Sequence, residues 1–194
     1  MEINHDWLES EFACPEGIIY FDEIEPHEIK AVLSKCIEDN EVNHAIWILA
    51  KALHRDDLVK IGYLAAKSVV YLYELNYDGE SPRYAIDSVY SEGFIEEDYL
   101  SAYKLARLCA KDSVENLYSS HAAYSASYAA LSMTNDPSAK EAPINAMLRA
   151  GYALFAESIS KGNTKEKSSL EIINLMKRLI VKAIELIEER ENNN

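Results

Sequence analysis

The sequence predicts an all-α protein, a single-domain multi-helix bundle of about seven helices, and three observations carry that reading. Glycine and proline are scarce, six and five in 194 residues, so the chain lacks the tight turns that a many-stranded fold requires. Apolar residues recur three and four apart through most of its length, the spacing of one helix face. No segment needs a sheet to account for its pattern. A domain of this size buries roughly 70% of the surface its unfolded chain exposes, so no metal or disulfide is required to hold it. With 48% hydrophobic and 27% charged residues, the composition is that of a globular chain. Thirteen tyrosines stand against four Phe and two Trp, a bias that suits half-buried positions with the ring in contact and the hydroxyl wet.

Residues 1–25 read as an acidic segment with little regular structure: a short helix near Trp7, a turn at Cys14-Pro15-Glu16-Gly17, then an extended or one-turn piece. The bundle proper spans 26–190. Pro26 suits a first helical position, with Glu25 and Glu28 at the positive end of the helix dipole, and the helix presents Ile29, Val32, Leu33 and Cys36 or Ile37. A second helix runs from about Val42 to Leu53. A third, from about Leu58 to Asn76, is apolar nearly all round and so belongs in the centre of the bundle. Ser81-Pro82 opens a fourth, which Glu92-Gly93 stops.

The next is one long central helix rich in Ala and Tyr. Leu100, Tyr103, Arg107, Ala110, Val114, Leu117, His121, Tyr124, Tyr128 and Leu131 are spaced alternately three and four apart, which predicts the inward face. The Ser and Ala residues around them predict close approach by neighbouring helices. Asn135-Asp136-Pro137 ends this element. A helix over about Ala142 to Ser160 follows, and a last one from Thr164 to about Arg190 leaves residues 191–194 as a frayed tail.

The formal charge is −14. Residues 1–41 hold twelve acids against Lys30 and Lys35, while 42–194 hold 21 acids and 17 bases. Such an amino-terminal third repels nucleic acid and anionic membranes and attracts a basic protein; acidity that only maintains solubility is the plainer alternative. Three cysteines without CxxC spacing, no amino-terminal basic-then-apolar run and no stretch of 18 apolar residues predict a cytoplasmic chain with neither signal peptide nor membrane span.

Three features resemble the immunity-protein-5-like helical domain family of bacteria and phages. These are Ala13-Cys14-Pro15-Glu16-Gly17-Ile18 followed by aromatics, the Trp-bearing helix running into a Tyr- and Val-rich one (Trp47 to Tyr73), and Asp78-Gly79-Glu80-Ser81-Pro82-Arg83-Tyr84-Ala85-Ile86 before an Ala- and Tyr-rich helix. The resemblance covers about residues 10–190 and implies a helical domain that neutralises a toxin. Where the family often has an arginine before the proline, this chain has Ser81, so a role for paired arginines does not carry over.

The chain offers little for catalysis. Glu41-Val42-Asn43-His44 has the Glu-x-x-His spacing of di-iron bundles, but the second copy such a site needs is missing, and no metal or cofactor is predicted. His121 reads as a core histidine bonded to a tyrosine hydroxyl, Cys109 as buried and inert, Cys14 as partly exposed. Lys161, Lys165 and Lys167 make too small a group for a nucleic-acid footprint. Arg83 reads as an ion pair with Asp78 or Glu80 at the turn, or else as a partner contact.

The expected function is therefore protein binding rather than catalysis: an immunity- or antitoxin-like inhibitor that occludes a basic surface. The candidate contacts are Tyr20, Phe21, Glu23, Glu25, Glu28 and Arg83. Tyrosines on the exposed sides of the fourth and fifth helices offer a homodimer surface. A phage counter-defence protein that binds a host immune protein, with carboxylates imitating DNA phosphates, is the alternative; it calls for spaced acidic rows, whereas the acids here gather at one end. An enzyme with an unfamiliar helical site lacks any residue constellation in its favour.

Overall fold

The computed structural model describes residues 1–193 and contains eleven α-helical segments: α1 (His5–Ser10), α2 (Pro15–Asp22), α3 (Ile29–Asp39), α4 (Val42–Ala52), α5 (Arg55–Val69), α6 (Tyr71–Glu74), α7 (Ser81–Ser88), α8 (Glu96–Asp112), α9 (Leu117–Leu131), α10 (Ala142–Ser160) and α11 (Lys165–Asn192). A 3₁₀ turn at Pro137–Lys140 precedes α10. No strand occurs among the described residues; Glu2 and Glu28 form one isolated antiparallel bridge.

The all-α class holds, but seven helices is too few, and local causes account for the additional ones. Residues 1–25 are more regular than expected. Asn4 caps α1 by accepting from the Trp7 amide at 3.0 Å, and the Cys14 sulfur caps α2 by accepting from the Gly17 amide. The following helix begins at Ile29 rather than Pro26, because the chain before it is extended and pinned. The Ile3 amide donates to His27 O and the Ile29 amide to Met1 O, which commits residues 27–29 to bridge geometry. The tail also departs from expectation, since α11 continues to Asn192; Asn194 lies outside the described residues.

The predicted long helix is two. Ser113 ends α8 by turning its hydroxyl back to Cys109 O, and Asn116 caps α9 through Ser119 N. The large stripe read as the inward face is mostly not inward. Of its ten residues only Ala110 and Leu131 are buried, while Val114 and Leu117 are 60% and 58% exposed. The enclosed face of α9 is instead its small one: Ser119, Ser120, Ala122, Ala123, Ser125, Ala126, Ser127, Ala129 and Ala130 are all buried. Small side chains let α5, α6, α7, α8 and α10 all pack against this one helix, as close-packed helix interfaces require. Its serines complete hydrogen bonds with their neighbours: Ser119 Oγ donates to Leu72 O, Ser120 to Ala110 O and Ser125 to Ala146 O, at 2.7–2.8 Å.

The contacts group the chain into two compact units. One unit comprises residues 1–54 and 177–194, the other 55–176. The first buries Ile3, Leu8, Phe21, Val32, Leu33, Ile48 and Leu49 and ties α3 to the end of α11 through Lys30 Nζ and Glu191, 2.7 Å apart. The second is centred on α9, with Val59, Ala66, Val70, Ile86, Val89, Ala102 and Ala106 packed around it. At Gly62 on α5, an added Cβ would stand 2.8 Å from Pro143 Cα of α10, so these two helices approach as closely as a glycine permits. Arg55 finishes α9 by donating to Thr134 O at 2.7 Å. No helix of the described residues is long and apolar enough to cross a membrane.

Candidate functional site

Five of the six residues expected to bind a partner lie in the first unit, on α2 and the short connection to α3. Ile24 and, at the start of α3, Ile29 turn into the core, while Glu23, Glu25 and Glu28 stand exposed. Glu25 is 3.2 Å from His27 Nε2, while the opposite ring nitrogen, His27 Nδ1, is buried without a hydrogen-bond partner. The two lysines of the first 41 residues are engaged elsewhere, Lys30 with Glu191 and Lys35 with Asp39, both at 2.7 Å. Neither lysine therefore pairs with Glu23, Glu25 or Glu28.

The aromatic pair beside them is a correction. Phe21 is 1% exposed, stacked on Trp47 and edge-on to Tyr20 and His44, so it cannot touch a partner. Its position one residue after the outward Tyr20 and three before buried Ile24 places it on the inward side of α2. Tyr20 is half-buried, stacked on His44, and its hydroxyl donates to Asp39 at 3.1 Å. Burial, with Cys36 and Asp39 alongside, pushes the Tyr20 pKa up. His44 is 3.3 Å from Glu41, and no group of three or more metal-ligating side chains occurs among the described residues.

Arg83 belongs to the second unit and is not gathered with the glutamates. Its Nε and Nη2 donate to the two carboxylate oxygens of Glu74, each at 2.7 Å. The pair raises the Arg83 pKa and lowers that of Glu74. An ion pair was expected, but with Asp78 or Glu80. Those two acids instead line, with Tyr77, Tyr84 and Asp87, a cleft of about 490 Å³ beside it. Tyr84 and Tyr90, on the sequence-predicted homodimer surface, are exposed, whereas Tyr99 is buried.

A second concavity, of about 520 Å³, opens between α9 and α10 and was not anticipated. Leu117, Tyr118, Tyr152, Phe155 and Ile159 line it, with His121 among them. Tyr152 is 50% exposed. His121 is not bonded to a tyrosine hydroxyl: Arg149 Nη1 lies 3.2 Å from its Nδ1, with the Arg149 guanidinium over the Tyr124 ring. Leu117 and His121 of this groove belonged to the stripe that the sequence spacing placed inward. They stand outward because the Ala and Ser face of α9 already fills the interior, a signal present in the sequence but outweighed by residue size.

No family model, curated protein or solved structure matches the chain. The geometry of these two concavities and of the acidic connection is therefore the basis for a functional reading.

Proposed function

We propose that the protein is a binding protein of the immunity or antitoxin type, which neutralises a toxin or nuclease-like effector by occluding its basic surface. The observation that carries this reading is the exposure of Glu23, Glu25 and Glu28 on one six-residue connection, while Lys30 and Lys35 are consumed in ion pairs. Three neighbouring carboxylates reinforce each other's field and steer a basic partner into encounter. Charges so placed act mainly on the association rate and its salt dependence. With Phe21 in the core, Tyr20 is the one of the two expected aromatic contacts that remains available to such an interface. The resemblance to the immunity-protein-5-like family supports the same reading.

The test begins with capture of the partner from the native host and an assay of that partner's own activity. The protein should abolish that activity at stoichiometric ratio. E23Q/E25Q/E28Q should slow association several-fold at low salt and have little effect above about 0.5 M, where the screening length falls to a few ångströms. A captured partner whose activity is untouched, or a triple variant that associates at the wild-type rate at every salt concentration, would refute the proposal.

A further inference from the structure

The groove between α9 and α10 sets the His121 imidazole, fixed on one side by Arg149, in a largely apolar wall. Arginine can only donate, so the contact from Arg149 Nη1 to His121 Nδ1 makes Nδ1 an acceptor and places the proton of the neutral ring on Nε2. No group among the described residues accepts that Nε2 proton. The tautomer is held in turn, since the Arg149 guanidinium is stacked on Tyr124, 5.1 Å from the ring centroid. His121 lies beside Tyr152, ring centroids 5.6 Å apart, and both line the groove with Leu117, Tyr118, Phe155 and Ile159. A concavity of about 520 Å³ lies in the size range of small-molecule sites, which characteristically pair apolar walls with a few placed polar groups.

We propose that this groove is a small-molecule site for a ligand with an apolar or aromatic body and a single carbonyl-type acceptor oxygen, the oxygen receiving the His121 Nε2 hydrogen. The positive charge of Arg149 behind the ring strengthens that donor and disfavours a cationic ligand. A carboxylate and an uncharged ketone or ester share the required chemistry. Glu115 at the rim opposes the charged form and leaves the neutral one unaffected. This inference is independent of the acidic connection, and either can fail without the other.

The experiment uses the full chain and four naphthalene probes of matched size: 2-acetylnaphthalene, 2-naphthoate, 2-ethylnaphthalene and 2-naphthylmethylammonium, titrated by calorimetry. The ketone or the carboxylate should bind saturably and about ten-fold tighter than the ethyl compound, the advantage of one hydrogen bond to a fixed donor. Their ranking tells a neutral from a charged natural ligand. In H121F that advantage should collapse, while Y152S, at an exposed position, should weaken all probes alike. A shift of the His121 Nε2 proton on adding the ketone should accompany binding in nuclear magnetic resonance spectra. Equal binding of the ketone and ethyl compounds, tightest binding of the ammonium, or no saturable binding below the probes' solubility would each overturn the proposal. So would a concentration-dependent dimer, seen by light scattering, that Y152S abolishes, since a second copy would then be the occupant.

Discussion

The contact between Arg149 and His121 is a statement about protons as well as geometry. Burial, and then the neighbouring guanidinium, hold the His121 pKa below its ordinary value of 6.5. The unfolded chain titrates near 6.5, so below that pH it takes up a proton that the folded protein refuses. His121 thus contributes stability that is complete above about pH 6.5 and is lost as pH falls towards its folded value. Arg149→Gln should raise the His121 pKa part of the way to 6.5, as imidazole ¹⁵N titration would read; an unmoved value would show that burial alone is responsible. Gly62 makes a steric statement. A Cβ there meets the Pro143 backbone at 2.8 Å, and backbone cannot rotate aside, so Gly62→Ala should destabilise by about 1–3 kcal/mol, measured by denaturant unfolding. Arg83→Gln should cost no more than about 1 kcal/mol, because both members of its ion pair are more than a third exposed. Of these residues Arg83 and His121 drew notice in the sequence, His121 with the wrong partner. Gly62 sits unmarked within a helical pattern, and nothing local betrays that Pro143 lies against it.

Among the elements, α10 matches the range that periodicity predicts, and the other helices that begin at clear caps or Pro positions lie within a few residues of expectation. The α8–α9 break was missed even though Asn116 is a good cap, because an uninterrupted spacing of large residues ran across it. That spacing continued through a turn and so did not describe one helix face. The buried side of α9 can be told from the stripe by experiment. Ala126→Leu, which adds volume where no exposure remains, should cost about 1–3 kcal/mol. Leu117→Ser, at a position 58% exposed, should stay within about 0.5 kcal/mol. The opposite order would restore the large stripe as the core.

The whole molecule was least legible, because contacts between residues 1–54 and 177–194 leave no local periodicity to read. The two units differ in charge, the first holding sixteen acids and seven Lys and Arg, the second seventeen and twelve. They also differ optically: Trp7 and Trp47 both lie in the first unit, and every tyrosine except Tyr20 lies in the second. Leu72 is fully buried in the second unit, and Leu72→Ala should destabilise it by about 2–5 kcal/mol. In guanidinium unfolding the variant's tyrosine-monitored midpoint should fall below its tryptophan-monitored one. Coincident midpoints would mean that both units unfold as a single cooperative body.

Because the enclosed face of α9 is built from alanine and serine, the usual direction of mutational search is inverted there. Scanning by alanine finds a core by making holes, and α9 has almost nothing to remove. Five of its nine small buried positions are already alanine, and the other four would each lose a single hydrogen bond, about 1 kcal/mol. Such a scan would register the most enclosed helix of its unit only weakly, through its four serines. A scan by valine or leucine should instead find it intolerant, because the added volume has no exposed space to enter.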